Sequence, residues 1–268
     1  MSRQLIEITD PNDERIAPYR NIRERDLVGR QGLFIAEGRV VLNVLFSTSR
    51  FRAQSLFLRD NRVAGTSDLL ERVPPEVPIY VAGGEIMDEI AGFNIHRGIL
   101  AVGEKGDEPA AEALLDSLPE KALVVALSAI ANHDNLGAIF RNAAAFGADA
   151  VLLDSDCCDP LYRKAIRVSV GAALKVPFAN AGKAQDMTAL LHSRGFEVLA
   201  MTPQGEKDVS EIARTNRTAL LLGAEGPGLD AGLLESWPTV RISMRDDFDS
   251  LNVATASAIA LHHLWLKR

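Results

Sequence analysis

The chain has 268 residues, of which 47% are hydrophobic and 24% are charged, a balance typical of a folded globular protein and not of a disordered chain. Its length allows one large domain or two modest ones. The formal net charge of −7 argues against a protein that binds nucleic acid over its whole surface, although a local basic face would suffice for RNA.

The N-terminal stretch, MSRQLIEITDPNDERIAPYR, lacks the apolar core that a secretory signal peptide requires. Nowhere does the sequence contain a run of about 18 uninterrupted apolar residues, the length that a membrane-spanning helix needs. We therefore expect a cytoplasmic protein without a membrane span.

The first part of the chain, residues 1–104, carries short apolar runs such as GLFIAEGRVVLNVLF and RGILAVGE. Periods of two and of 3.6 alternate among these runs, which predicts a small α/β domain. Residues 105–119 follow; they are acidic and contain two prolines, so they are expected to include a linker.

The second part, residues 120–268, repeats a rhythm of strand and helix. Its strand candidates are continuous apolar runs, which predicts a mostly parallel sheet covered by helices on both faces. These candidates are ALVVALSAI, AVLLD, FEVLAMT, TALLLG and TVRISM. A helix is expected after Asn135, with an apolar stripe and a C-terminal cap at Gly147, and a buried final helix is expected from about Ser250 to Lys267. The stripe consists of Leu136, Ile139, Phe140, Ala143 and Ala144.

Three segments that follow predicted strands carry polar residues or glycines. The first, residues 131–154, holds Asn135 as a candidate helix cap and Arg141 one and a half turns later. In the second, residues 220–229, glycines surround Glu225. The third, residues 242–264, has Ser250 as a candidate N-cap and Asn252, whose amide needs a partner if it is buried. A cap, a tight turn or simple packing explains each segment taken alone, but ligands of open α/β sheets bind where such loops meet.

Taken together, the three segments resemble the motifs of the SpoU-type, or TrmH-like, RNA ribose methyltransferases of the SPOUT superfamily. The matches are N-x-G-x-x-x-R at Asn135, Gly137 and Arg141; the glycine-bracketed glutamate at Gly223, Glu225, Gly226 and Gly228; S-L-N-V-A at Ser250–Ala254; and R-x-S-x-G at Arg167, Ser169 and Gly171. The sequence departs from the family pattern at Ala224, where asparagine is frequent, and at Ser243, where proline is common. The N-terminal half resembles the family's substrate-binding domain more loosely.

This resemblance implies a SPOUT catalytic domain over residues 120–268, with a C-terminal trefoil knot, and an RNA-binding domain over residues 1–104. It further implies that S-adenosylmethionine supplies a methyl group to a ribose 2′-hydroxyl of structured RNA, rRNA or tRNA, and that the protein is a homodimer. The implied cofactor-binding residues are Thr202, Gly223, Ile242, Met244 and Leu251. The implied catalytic residues are Arg141, Asn135, Glu225, Ser250 and Asn252. Arg141 is often proposed as the base, but a guanidinium is hardly ever deprotonated, so a phosphate clamp is the less demanding role.

No metal site is expected from the sequence. Its two cysteines, Cys157 and Cys158, are adjacent and cannot complete a four-ligand zinc site. The histidines are scattered or adjacent on a helix: His96, His133, His192, His262 and His263.

Three other functions remain open at this point. The first is a non-catalytic RNA-binding or ribosome-assembly protein with the same fold. The second is a dinucleotide-dependent enzyme, although the glycines are spaced G-x-x-G-x-G and not G-x-G-x-x-G. The third is methyl transfer to a guanine base, against which the S-L-N motif argues.

Overall fold

The structure is a computed structural model that describes residues 3–20, 24–48, 50–91, 98–247 and 249–267. His96 lies outside these ranges. The chain divides into two compact units. The first unit contains Met1–Asp107 and Leu161–Lys175, and the second contains Glu108–Pro160 and Val176–Arg268.

The described residues form twelve strands and eleven α-helices, together with short 3₁₀ helices. In chain order the strands are β1 (Leu5–Glu7), β2 (Leu33–Glu37), β3 (Arg52–Arg59), β4 (Ile79–Ala82), β5 (Ile99–Glu104), β6 (Ala122–Leu127), β7 (Ala150–Leu153), β8 (Phe178–Asn180), β9 (Glu197–Met201), β10 (Lys207–Asp208), β11 (Arg217–Leu222) and β12 (Thr239–Arg241). The helices are α1 (Glu24–Gln31), α2 (Arg39–Leu45), α3 (Ser67–Leu70), α4 (Gly84–Ala91), α5 (Ala111–Asp116), α6 (His133–Ala145), α7 (Arg163–Val168), α8 (Ala172–Lys175), α9 (Ala184–Ser193), α10 (Ala231–Ser236) and α11 (Val253–Leu266).

The first unit is built on a mixed five-stranded sheet in the order β1-β4-β3-β5-β2. Strands β1, β4 and β3 run parallel, and β5 is antiparallel to both β3 and β2. A core of buried side chains that includes Ile16, Phe57 and Met87 covers one side of this sheet. The alternating periods in the sequence thus correspond to a real α/β unit.

The segment 161–175 packs within the first unit, although the sequence suggested that it continues the second half. Its helices α7 and α8 contact β2 and α2. Glu37, at the end of β2, is almost fully buried, and its Oε2 lies 3.6 Å from Nε of Arg163 and 3.7 Å from Nη1 of Arg167. Gly171, with φ of +85°, lies close to α2, where an added Cβ would be 3.1 Å from Cγ2 of Val44.

The second unit is built on a seven-stranded sheet in the order β10-β12-β9-β11-β6-β7-β8, with every pair parallel. Strands β6 and β7 are buried along their whole length, as the continuous apolar runs indicated. The sequence found five of these strands and missed β8 and β10, which have three and two residues. Residues 105–119, which were expected to include a linker, also contain α5, and this helix buries Ala111, Leu114 and Leu115 in the unit's core.

Helix α6 begins earlier than the sequence suggested. Its N-cap is Asn132, whose side chain accepts a hydrogen bond from the N–H of Asp134, so Asn135 is not the cap. The C-terminal cap at Gly147 is confirmed, since this residue has φ of +66° and follows the last turn. The predicted stripe is buried except for Ala144, which is exposed.

Helix α11 begins at Val253, and its N-cap is Asn252 instead of Ser250. One face of the helix is buried, but Ile259 and Leu266 have exposed fractions of 39% and 59%. The expectation of a fully buried helix is therefore wrong for one of its faces. Among the helices that the structure describes, none is long and apolar enough to cross a bilayer.

Candidate active site

A cavity of about 340 Å³ lies at the carboxyl ends of β9, β11 and β12, next to the start of α11. Ligands of parallel sheets bind at this edge, because the loops that follow neighbouring strands meet there. The cavity is lined by Met201, Thr202, Pro203, Leu222, Gly223, Ala224, Glu225, Gly226, Gly228, Ile242, Met244, Ser250, Leu251, Asn252, Val253 and Ala256. All five residues that the resemblance assigned to the cofactor are among them.

Asn252 joins the three segments that the sequence singled out. Its Nδ2 donates to Oδ1 of Asn135 at 2.9 Å and to Oε1 of Glu225 at 2.8 Å. Its Oδ1 accepts from the backbone N–H groups of Ala254 at 2.9 Å and Thr255 at 3.3 Å, which caps α11. The Asn252 side chain therefore caps the N-terminus of α11 through its oxygen. Through its nitrogen it links α6 to the glycine loop after β11.

The glycine loop brings Glu225 to this position through a tight turn. The N–H of Gly228 donates to the carbonyl of Ala224 at 3.1 Å, and Gly226 and Gly228 have φ of +84° and +73°. A Cβ on Gly223 would lie 2.6 Å from the carbonyl carbon of Gly228, so the backbone passes too close for any side chain there. Glu225 itself is exposed at the mouth of the cavity, where its carboxylate is accessible to a ligand.

A second asparagine on α6 ties this helix to α11. Nδ2 of Asn142 donates to the carbonyl of Ala254 at 2.8 Å and to Oγ of Ser257 at 2.9 Å. Asn142 was not among the predicted site residues, although a polar side chain next to an apolar stripe is a recognisable signal. The pair of helices carries Asn135 and Asn252, so this contact helps to hold their hydrogen bond in register.

The loop after β6 is fixed by the buried carboxylate of Asp154, which accepts from the N–H of Ala129 at 3.0 Å and of Asp156 at 3.1 Å. Ala129 has φ of +55°, a conformation that alanine rarely adopts, so Asp154 helps to hold a strained turn that leads into α6. Sγ of Cys157 accepts from the N–H of Ile130 at 3.3 Å. Burial raises the pKa of Cys157 above its usual range and that of Cys158 to about 12, which makes both thiols poor nucleophiles.

Two of the candidate catalytic residues lie apart from this network. Ser250 lines the cavity, but among the residues that the structure describes its Oγ donates only to the neighbouring Asp249, at 3.1 Å. Arg141 is exposed on α6 and does not line the cavity. Within the described residues it makes no hydrogen bond or ion pair, so its guanidinium is available to a ligand or to another chain.

The cavity wall after β12 is held by a residue that the sequence analysis did not select. Asp208 accepts from the N–H of Ser243 at 3.0 Å and from its Oγ. Hydrogen bonds from Ser210 and Ser243 hold the pKa of Asp208 well below its usual range. The signal in the sequence was the spacing of Asp208 and Glu211, which form a capping box over a 3₁₀ turn.

The lining of the cavity carries a single ionisable group, a carboxylate. Glu225 is the one ionisable side chain among the lining residues, and apolar side chains and backbone make up most of the wall. In the parts of the chain that the structure describes, His, Cys, Asp and Glu side chains form no group of three that could hold a metal ion. The arrangement suits an organic ligand with an apolar body and a positive centre.

Comparison with known proteins identifies the class to which this fold and site belong. Residues 122–262 match the SpoU rRNA Methylase family, which is more than half of the chain. The chain is therefore a member of that family. The matched region contains Asn252 and both residues to which its amide donates, Asn135 and Glu225.

Relatives extend this likeness to the whole chain. The uncharacterized tRNA/rRNA methyltransferase Mb0905 of Mycobacterium bovis is 41% identical over 265 residues, covering 96% of this chain and 90% of that protein. A 23S rRNA (guanosine-2′-O-)-methyltransferase, RlmB, of Ralstonia nicotianae is 31% identical, covering 69% of this chain and 75% of its own.

Solved structures share the fold. The AdoMet-bound rRNA methyltransferase of Sinorhizobium meliloti aligns with a TM-score of 0.80 at 22% identity, covering 97% of each chain. The SpoU methyltransferase AviRb of Streptomyces viridochromogenes, in complex with AdoMet, aligns with a TM-score of 0.81 at 22% identity, covering 96% of this chain and 98% of its own. At this identity the likeness concerns the α/β fold.

Proposed function

We propose that this chain transfers a methyl group from S-adenosylmethionine to a ribose 2′-hydroxyl of rRNA or tRNA. The observation that carries the proposal is the double hydrogen bond of Asn252 to Asn135 and Glu225 at the mouth of the cavity. It joins one residue from each of three motifs that are far apart in the sequence, and two of these residues, Glu225 and Asn252, line the cavity. The names of the relatives support the same reaction class: the M. bovis protein is a tRNA/rRNA methyltransferase and the R. nicotianae protein a 23S rRNA (guanosine-2′-O-)-methyltransferase.

The residues present fit S-adenosylmethionine. The cavity volume of about 340 Å³ lies within the usual range of small-molecule sites, and Ile242, Met244 and Leu251 offer an apolar surface for an adenine ring. Thr202 and Gly223 add polar backbone to the same wall. The carboxylate of Glu225 complements a sulfonium charge. When bound, S-adenosylmethionine supplies an electrophilic methyl carbon.

The chain's own contribution to this reaction is positioning and charge. The Asn252 amide holds Glu225 and Asn135 in fixed places, so the pocket is organised before a substrate arrives. Ser250 adds a short hydroxyl at the cavity wall that can orient a ribose. A guanidinium is hardly ever deprotonated in proteins, so the role of Arg141 is to bind the adjacent phosphate and to stabilise negative charge that develops on the 2′-oxygen, while the hydroxyl proton passes to water.

The position of Arg141 supports a homodimer. Because it is exposed and does not line the cavity of its own chain, we propose that it reaches the site of a second copy. Exposed apolar side chains on α11, Ile259 and Leu266, give a second copy a surface to cover. Each active site would then combine Asn252 of one subunit with Arg141 of the other.

We assign the two units separate roles within this function. The second unit would be the catalytic domain with a C-terminal trefoil knot, and the first unit would bind the RNA. The expectation of a knot rests on membership of the SpoU family, whose model matches residues 122–262. The first unit would bind a part of the folded RNA other than the nucleotide that is methylated. Such binding favours rRNA or tRNA as the substrate over a short single strand.

The direct test uses purified protein, S-adenosylmethionine with a labelled methyl group, and total rRNA or tRNA from cells that lack the protein. We expect label in 2′-O-methylated nucleosides after digestion, and a ribose methylation missing from the cells' RNA. If calorimetry detects no binding of S-adenosylmethionine and no methylation changes, the proposal is wrong, and a non-catalytic RNA-binding protein becomes the better description.

A further inference from the structure

The cavity wall that follows β12 depends on a carboxylate that lies outside the cavity. Ile242 and Met244 line the cavity, whereas Ser243 between them is exposed. The N–H of Ser243 donates to Oδ2 of Asp208 at 3.0 Å, and Oγ of Ser243 donates to the same oxygen. Asp208 is not a lining residue. It therefore acts from outside the cavity, through its two hydrogen bonds with Ser243, which lies between the lining residues Ile242 and Met244.

Asp208 is itself held in place by its own neighbours. Its Oδ1 accepts from the N–H of Ser210 at 2.9 Å and from Oγ of Ser210 at 2.6 Å. Four donors thus share the two carboxylate oxygens, and two of these donors belong to the cavity wall. A carboxylate with this many donors stays ionised and has little freedom to rotate.

The two segments that Asp208 connects are also joined through the backbone. Strand β10 pairs with β12, with Asp208 opposite Arg241. Nη1 of Arg241 donates to the carbonyls of Gly205 at 2.6 Å and Glu206 at 3.0 Å. A Cβ on Gly205 would lie 2.3 Å from the carbonyl carbon of Val240, so the two backbone segments are too close together for any residue larger than glycine at this position. The backbone that carries Asp208 is therefore fixed relative to β12, so that its carboxylate can hold Ser243 in place.

We propose that Asp208 is a positioning residue for S-adenosylmethionine, acting through Ser243 to hold Ile242 and Met244 in the conformation that binds the cofactor. This inference rests on the proposed function. The physical reason is preorganisation: a wall that is fixed before binding does not have to be ordered by the ligand, and the ligand binds more tightly. Ser243 stands where the family often has proline, which would restrain the same backbone without a partner.

The test is Asp208→Asn in the full-length protein. Asparagine offers one acceptor oxygen where aspartate offers two, so one pair of donors loses its partner. We expect the Kd and KM for S-adenosylmethionine to rise about tenfold, as for a lost hydrogen bond to a charged group, with kcat almost unchanged. Hydrogen exchange of the Ser243 amide should become faster in the ligand-free protein. Asp186→Asn, an exposed carboxylate on α9, is the matched control and should leave these values unchanged.

A double-mutant cycle separates positioning from general destabilisation. Ser243→Ala removes one of the two bonds from Ser243, and its effect on the Kd should be non-additive with Asp208→Asn. Additive effects, or an unchanged Kd in Asp208→Asn, would overturn the inference while the wild-type Kd still supports the proposed function. If the wild-type protein binds no S-adenosylmethionine, both the inference and the proposed function fail.

Discussion

The amide of Asn252 donates to Oδ1 of Asn135 across a separation of 117 residues in the chain, at a distance of 2.9 Å. Because the same side chain also caps α11, its replacement affects both the helix and the site. The two effects can be separated experimentally, since the oxygen forms the cap and the nitrogen forms the bridge to Asn135 and Glu225.

Asn252→Ala removes both sets of contacts, whereas Asn252→Asp keeps an oxygen for the cap and loses the donor nitrogen. We expect the alanine variant to lower the free energy of unfolding by about 1 kcal/mol through loss of the cap, and the aspartate variant to lower it less. Both should reduce methyl transfer by about 100-fold, because the pocket loses its alignment. Denaturant unfolding and single-turnover assays measure the two effects. Full activity in Asn252→Asp would show that the bridge is not needed.

Arg141→Ala should leave the fold unchanged and remove the reaction. The side chain is exposed and makes no hydrogen bond or ion pair within the described residues, so the free energy of unfolding should change by less than about 0.5 kcal/mol. Methyl transfer should fall by about 100-fold or more, as for loss of one donor to developing charge, with the Kd for S-adenosylmethionine preserved. Arg194→Ala, which removes an ion pair with Asp116, is the matched control. Wild-type activity in Arg141→Ala would exclude the residue from catalysis.

Mixed dimers test whether Arg141 acts in the partner's site. Subunits that carry Arg141→Ala and subunits that carry Asn252→Ala are each inactive alone. After mixing and reassociation, a heterodimer would contain one site with both native residues, so up to about half the activity of the wild-type dimer should return for each heterodimer formed. The absence of any recovery, with reassociation confirmed by differently sized tags, would argue that both residues serve the same subunit's site.

The raised pKa values of Cys157 and Cys158 predict slow alkylation in the native protein. Burial disfavours the thiolate, so iodoacetamide at about pH 8 should modify both thiols much more slowly than in the protein unfolded by urea. Because the pKa is raised, the thiols of the folded state keep their protons to a higher pH than those of the unfolded state. Their contribution to the free energy of unfolding is fully present below the pKa of an unfolded thiol, about 8.5, and is lost as the pH rises above that value. Rapid alkylation of the folded chain would contradict the described burial.

Glu37→Gln tests the attachment of residues 161–175 to the first unit. The substitution keeps the shape but removes the charge that faces Arg163 and Arg167. We expect the free energy of unfolding to fall by about 1 kcal/mol, since both arginines are partly exposed to solvent, and hydrogen exchange in α7 and α8 to become faster. Glu71→Gln, at an exposed glutamate of the same unit, is the control. Unchanged exchange in α7 would mean that apolar packing alone holds the segment.

The sequence predicted the second unit's sheet well because its strands are buried on both faces. Strands β6 and β11 are apolar runs of six residues that are buried almost throughout. Strand β10 has two residues, one of them exposed, so hydropathy gives no sign of it. The placement of residues 161–175 was missed because the elements on which this segment packs lie far away in the sequence: α7 contacts β2, and α8 contacts α2.

The site was predicted less completely than the fold. The motifs named Asn135 and Asn252, but their contact with each other depends on tertiary structure. Both helix starts were misplaced, because several residues able to cap a helix stand close together: Asn132 competes with Asn135, and Ser250 with Asn252. Asp208 was not predicted because its proposed role depends on a hydrogen bond with Ser243, which lies 35 residues further along the chain.

The return of residues 161–175 to the first unit restricts how the protein can be divided. A single cut after residue 107 would carry away β2 and α2 and leave α7 and α8 attached to the remaining fragment. Side chains such as Ile166 and Leu174, now fully buried, would lose the surfaces that cover them and become sites for aggregation. Exchange of the first unit between relatives by recombination at that one boundary would therefore yield insoluble hybrids unless α7 and α8 were exchanged as well.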